Sequence, residues 1–204
     1  MNTEKAELFT PAPEWSGRSD GPGPEHARWH SVINQSTESP APVTLLGFAS
    51  DEGVLRNGGR QGAAAGPAAL RSALGSLAVH HEHALADAGT ITTQADDLDG
   101  SHDALSDKVQ ELVEAGTLPI ILGGGHETAF GSHRGLYRAV GATKIINLDA
   151  HFDLRRANQA TSGTPFKQIS ELSDDFDYTV LGISRPNNTA VLFDEAESLN
   201  VAIT

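Results

Sequence analysis

Lys144-Ile-Ile-Asn-Leu-Asp-Ala-His-Phe-Asp-Leu-Arg155 sets the reading of the whole chain. Its apolar run, Ile145–Leu148, is bounded by Gly141 upstream and polar residues downstream, which predicts a buried strand leaving a sheet. The run delivers Asp149, His151 and Asp153 in turn. If the chain stays extended through Asp153, residues two apart point the same way, so two carboxylates and one imidazole converge. Such donors suit a hard-to-borderline divalent cation. Upstream, Gly123-Gly-Gly-His-Glu127 follows a second predicted strand, Leu118–Leu122, and delivers His126. Alone, His126 reads as a turn histidine bonded to backbone, and Asp-x-His-x-Asp reads as a polar strand exit. Ligands of an open parallel sheet gather beyond the carboxyl ends of its strands, which puts all four residues on one edge. Together they point to a metal site of His126, Asp149, His151 and Asp153.

The surrounding sequence alternates strand and helix. Strands are expected at 43–48, 118–122, 145–148 and 178–183, with one more starting at Asn200. Helices are expected from Gly66-Pro67 to Gly75, with Leu70, Ala73 and Leu74 inward, and at 101–115, capped by Ser101. Two more are expected at 127–140 and 189–199. This pattern predicts an α/β fold with a mainly parallel sheet and helices on both faces. The Gly-rich passage 49–66 reads as a functional or mobile loop. Residues 1–40, rich in Pro, Gly, Ser and His, are expected to form an arm. Its Trp15 and Trp29 would dock on a domain spanning 41–204.

Composition excludes several classes of function. Among 204 residues, 14 Lys plus Arg stand against 27 Asp plus Glu, a net charge of −13. That balance disfavours nucleic acid and anionic membrane surfaces as partners. The absence of cysteine removes disulfides and Cys-ligated zinc. With no signal sequence and no membrane-length apolar run, a soluble, cytoplasmic protein is expected.

Four other stretches compete for a functional reading. His80-His-Glu-His83 reads as a solvated edge, because adjacent side chains on an extended segment oppose one another. Asp96-Asp-Leu-Asp99 precedes a helix and suits its N-terminal dipole. Asp175 and Asp177 precede the strand at 178 and so belong to the opposite sheet edge. The Gly123–125 turn could cradle phosphate, but it lacks the P-loop Lys-Ser/Thr, and Glu127 would repel the anion. No G-x-S-x-G elbow is present. Two aspartates half-neutralise two divalent cations, so the site holds one ion or draws further carboxylates from elsewhere.

Gly123-Gly-Gly-His-Glu127 with Asp149-Ala-His-Phe-Asp153 resembles the ureohydrolase family of arginases, agmatinases and formimidoylglutamases. Trp15-Ser-Gly-Arg-Ser-Asp20, Asp-Leu-Arg155 and Ser162-Gly-Thr-Pro-Phe166 look like the formimidoylglutamase branch. The resemblance implies an arginase-like three-layer α/β/α fold and two Mn2+ ions. It implies hydrolysis of N-formimidoyl-L-glutamate to L-glutamate and formamide, a step of histidine degradation, by a metal-bridging hydroxide. By position, His126, Asp149 and Asp153 would serve one ion, and Asp149, bridging, with His151 the other. Arg155 and Ser162 fall where relatives hold the amino-acid end of the substrate, and a homo-oligomer is left open. Arginases carry a histidine where this chain has Phe166, so the general acid is unassigned. The family's later Asp-x-Asp pair lies outside these 204 residues, so the sequence reads as the N-terminal part of the fold, incomplete on its C-terminal side. The alternatives are an inactive remnant or single-metal binding module, and a hydrolase of another amidine or guanidine.

Overall fold

The computed structural model describes residues 8–35, 41–80 and 84–204. The strands are β1 (Phe9–Thr10), β2 (Val43–Ala49), β3 (Leu85–Thr92), β4 (Leu118–Leu122), β5 (Ile145–Leu148), β6 (Tyr178–Leu181) and β7 (Ala202–Ile203). The helices are α1 (Trp29–Val32), α2 (Glu52–Arg56), α3 (Gly66–Gly75), α4 (Leu98–Glu114), α5 (Thr128–Val140), α6 (Pro165–Ser170) and α7 (Ala190–Ser198). One sheet has the order β1-β3-β2-β4, and a second has β5-β6-β7. Every pairing is parallel except β1 with β3.

Alternation along β2 builds the layers. Leu46 and Phe48 point into a core with Ile91 of β3 and Leu98, Leu105 and Val109 of α4. Leu45 points the opposite way, to Trp15, with Trp29 and Leu74 beside it. Successive strand residues face opposite sides, so β2 carries helices on both faces, giving the α/β/α arrangement. Phe152, Phe166, Tyr178 and Val180 form a further core around the second sheet.

β4 and β5 are both edge strands. Between them lies an apolar cleft of about 410 Å³, lined by Leu118 and Ile121 on one side and Ile145 and Ile146 on the other. Leu118 and Ile146 are exposed there. Thus the parallel strands fall into two ladders rather than one continuous sheet. No helix among the described residues is long and apolar enough to cross a membrane.

The structure departs from several expectations. β3 is not among the expected strands, because Leu85-Ala-Asp-Ala-Gly-Thr-Ile-Thr92 has few large apolar residues and carries an interior carboxylate. Its Gly89 takes φ +109°, where a Cβ would meet Thr10 O at 2.3 Å. Helix α3 buries Pro67, Arg71 and Gly75; of the expected Leu70, Ala73 and Leu74 face, Leu74 packs inward while Leu70 and Ala73 are exposed. Arg71 turns inward because Asp87 is there: Nε and Nη2 donate to its two oxygens at 2.7 and 2.8 Å. Trp15 Nε1 adds a third hydrogen bond to Asp87, at 2.8 Å. Helix α4 starts earlier than expected, capped by the Asp97 side chain accepting from Gly100 N at 2.9 Å. Ser101 is fully buried inside it and is not the cap. Passage 49–66 contains α2 and a 3₁₀ turn, so it is partly regular.

Candidate metal centre

Three strand exits meet, those of β2 and β4 from the first sheet and that of β5 from the second. After β2 the chain runs through Ser50 into α2; after β4 it turns at Gly123–125; after β5 it bends at 150–151. The expected extended run through Asp153 does not occur. β5 ends at Leu148, and Asp153 sits in the left-handed region at φ +48°. The side chains therefore converge through a folded loop and not through strand alternation.

The convergence itself is close. His126 Nδ1 lies 2.6 Å from Asp153 Oδ2 and 3.2 Å from Asp149 Oδ2. Ligand-type atoms of these three residues all fall within 4.8 Å of one another. His151 Nδ1 lies 3.3 Å from the other oxygen of Asp149, Oδ1. Asp149 thus faces one imidazole with each carboxylate oxygen. His151 is the outermost of the four, and its side chain is 53% exposed. The hydrogen bond that His126 donates to the Asp153 carboxylate raises the pKa of His126, opposed by burial and helped by the charges of Asp153 and Asp149. Among the described residues no Lys or Arg pairs with Asp149 or Asp153. Two carboxylates balanced only by imidazoles, all N or O donors, fit a divalent cation such as Mn2+.

One cleft of about 340 Å³ is lined by His126, Asp149, His151, Asp153, Arg155 and Ser162, all six residues singled out from the sequence. Arg155 and its neighbour divide their roles. Arg156 pairs with Glu195, Nη2 to Oε1 at 2.8 Å, whereas no carboxylate among the described residues pairs with Arg155. Ser162 is held by its N–H donating to Gly53 O at 2.9 Å.

The competing sites fall apart. Gly124 packs on the β2 exit, where a Cβ would meet Ser50 O at 2.4 Å, and Gly125 N donates to Ser50 O at 3.0 Å. The glycines therefore serve close packing, not phosphate binding. Asp177 pairs with Lys144 at the other end of β5, away from the cleft. His80 is exposed, and residues 81–83 of the histidine cluster lie outside the described residues. Phe166 is buried, stacked on Tyr178 and edge-on to His126, so it presents no acid to the cleft.

Glu127 has a role that the sequence did not disclose. It is buried, and its Oε1 accepts from Ser50 Oγ and Gly53 N, both at 3.0 Å. It clamps the β4 exit to the β2 exit, and burial raises its pKa. Asn57, Asn187 and Asn188 also line the cleft. Their only sequence signal is position, in segments that follow parallel strands.

A family model described as "Arginase family" matches residues 41–204. The chain belongs to the arginase family. This arginase-family chain is 53% identical to a formimidoylglutamase of Corynebacterium efficiens, over 93% of its own length and 62% of the relative's. It is 45% identical to one of Rhodococcus opacus, over 95% of its own length and 64% of that protein's. The crystal structure of Trypanosoma cruzi formiminoglutamase with Mn2+ superposes with a TM-score of 0.79 at 31% identity. That match covers 87% of this chain and 64% of the other. The chain therefore spans rather less than two thirds of the length of the relatives it matches.

Proposed function

We propose that this site serves Mn2+-dependent hydrolysis of N-formimidoyl-L-glutamate to L-glutamate and formamide. The observation that carries the reading is one cleft holding two unlike recognition elements. Arg155, with no carboxylate partner among the described residues, stands beside a His–Asp–Asp cluster suited to a cation. A guanidinium binds a carboxylate through two parallel N–H donors, which suits the glutamate end of such a substrate. Ser162, fixed by Gly53, offers a hydroxyl to the same end. The names of the relatives in Corynebacterium and Rhodococcus agree with this assignment.

In the balanced reaction the oxygen of water adds to the formimidoyl carbon, the bond from that carbon to the glutamate nitrogen breaks, and a proton reaches the leaving amine. His126, Asp149, His151 and Asp153 would hold the Mn2+, Asp149 between two positions. Bound there, divalent cations supply Lewis acidity and a nucleophile derived from water. The protein orients the substrate through Arg155 and Ser162. Solubility and cytoplasmic residence belong to the same reading.

A second reading rests on the donor count. Three residues converge within 4.8 Å and bring only two carboxylates, which suits a single cation. Turnover separates the two. The first reading expects formamide from N-formimidoyl-L-glutamate, abolished by EDTA and restored by Mn2+, with agmatine and arginine left intact. One bound ion without formamide release would favour the second reading. Release of urea from agmatine or arginine would reassign the chain within the family.

A further inference from the structure

We propose that Asn188 is a positioning residue for the metal-binding loop, holding the backbone on both sides of His151. This rests on the cation-site reading above. The loop needs an external hold because it leaves the sheet before it reaches its ligands. The β5–β6 ladder ends at the Leu148–Leu181 pair, followed by two backbone hydrogen bonds, Asp149 N to Leu181 O at 3.1 Å and Ser184 N to Ala150 O at 3.0 Å. Beyond that point the chain bends at 150–151 and reaches Asp153 at φ +48°, a conformation non-glycine residues adopt only when their surroundings impose it.

The surroundings that impose it come from two sides: Phe166 N, at the start of α6, donates to Asp153 O at 3.2 Å, and β6 with the segment after it holds the residues just before. Asn188 is 7% exposed. Its Oδ1 accepts from Phe152 N at 3.1 Å, and its Nδ2 donates to Ala150 O at 2.8 Å and to Ser184 O at 2.9 Å. Ala150 and Phe152 flank His151 directly. The two carbonyls and one N–H fix which end of the amide is nitrogen, since a flip would oppose like with like at all three contacts. Asparagine is the short neutral side chain with two donors and an acceptor in one plane. Tyr178 completes the hold from below: its hydroxyl donates to Phe152 O and accepts from Asn147 Nδ2, both at 3.1 Å. Neither side chain is offered as a ligand. Their effect on a cation passes through the backbone that aims Asp149, His151 and Asp153.

The test compares wild type with Asn188→Leu, similar in size and neutral but without the three hydrogen bonds. Tyr178→Phe, which keeps the stacked ring and loses only the hydroxyl, is the milder companion. Mn2+ affinity is read by electron paramagnetic resonance, unfolding of the metal-free protein by urea, and the Phe152 amide by hydrogen exchange. Asn188→Leu is expected to weaken Mn2+ binding about 10- to 100-fold, the usual cost of losing a partner that orients ligands. Tyr178→Phe should weaken it less and decides the matter if the first variant does not fold. A merely structural role would lower metal-free stability and leave the Mn2+ dissociation constant within twofold of wild type, overturning the proposal. If wild type binds no Mn2+, the cation reading fails separately and amide exchange decides. Faster exchange at Phe152 in the variants sustains the positioning role, and unchanged exchange rejects it.

Discussion

Asp87 is a fully buried carboxylate and the Asp149–Asp153 pair a partly buried one of the same fold, and their surroundings differ in kind. Asp87 is closed: Arg71 grips both oxygens, and Trp15 and the N–H of Gly89 supply further donors. Among the described residues, Asp149 and Asp153 have imidazoles and no Lys or Arg as ion-pair partners, and they open on a cleft. A carboxylate whose charge is met inside the protein serves the fold, whereas carboxylates left for a visitor mark a site. Two histidines repeat the lesson. Burial lowers the pKa of His102 to about 4, while Asp153 raises that of His126. One imidazole is kept neutral in the core, and the other is poised among negative charges.

The sharpest way to break this contrast is to open the closed pair. Arg71→Ala leaves Asp87 buried without its counter-charge and should cost about 3–5 kcal/mol of stability by urea unfolding. It should leave Mn2+ affinity unchanged in the fraction that folds. Asp149→Asn should do the reverse, changing metal-free stability by less than about 1 kcal/mol. Equal losses of stability in the two variants would erase the distinction.

Acid titration sharpens the histidine half. His102 has a lowered folded-state pKa, so below its ordinary value of 6.5 the unfolded chain binds a proton that the folded one refuses. Stability is full above pH 6.5 and is lost as pH falls towards 4, by up to about 3 kcal/mol across that window. Denaturation midpoints at a series of pH values should show this acid limb, and His102→Gln should flatten it. A limb of equal depth in the variant would contradict the assignment.

Smaller effects separate the adjacent arginines. Arg155→Ala should raise KM about 10- to 100-fold, the loss of a charged hydrogen bond to substrate worth roughly 1.5–3 kcal/mol. Arg155→Lys should recover only part of this, since an ammonium cannot reproduce the planar fork. Arg156→Ala breaks an exposed pair with Glu195 and should cost at most about 1 kcal/mol of stability, with KM unchanged. Steady-state kinetics of the three variants side by side settles the division of roles.

Much of this was legible in the sequence where a single local rule governs. The apolar runs of β2, β4 and β5 and the periodicity of α4 and α5 mark their own positions. Consecutive strand exits place His126, Asp149, His151, Asp153, Arg155 and Ser162 in one cleft. What escaped depends on partners far along the chain. Asp87 in β3 and Arg71 in α3 look like surface residues until each is seen as the reason the other is buried. Glu127 reads as a helix-start acid, yet it clamps Ser50 and Gly53, more than 70 positions away. The folded path from Asp149 to Asp153 is held by Asn188 and Tyr178 at Phe152 and by the N–H of Phe166 at Asp153, in segments that carry no signal pointing back to it. Local pattern finds donors; long-range hydrogen bonding decides how they are aimed.

The central claim is that Asp149 and Asp153 are unfinished without a cation, and Mn2+ titration of the wild-type protein beside Asp149→Asn tests it most directly. The wild type is expected to bind Mn2+ saturably and to unfold at a higher temperature once loaded, and Asp149→Asn to lose both with its metal-free stability intact. Wild-type protein that takes up no Mn2+, or a variant that binds it as tightly, would contradict the claim.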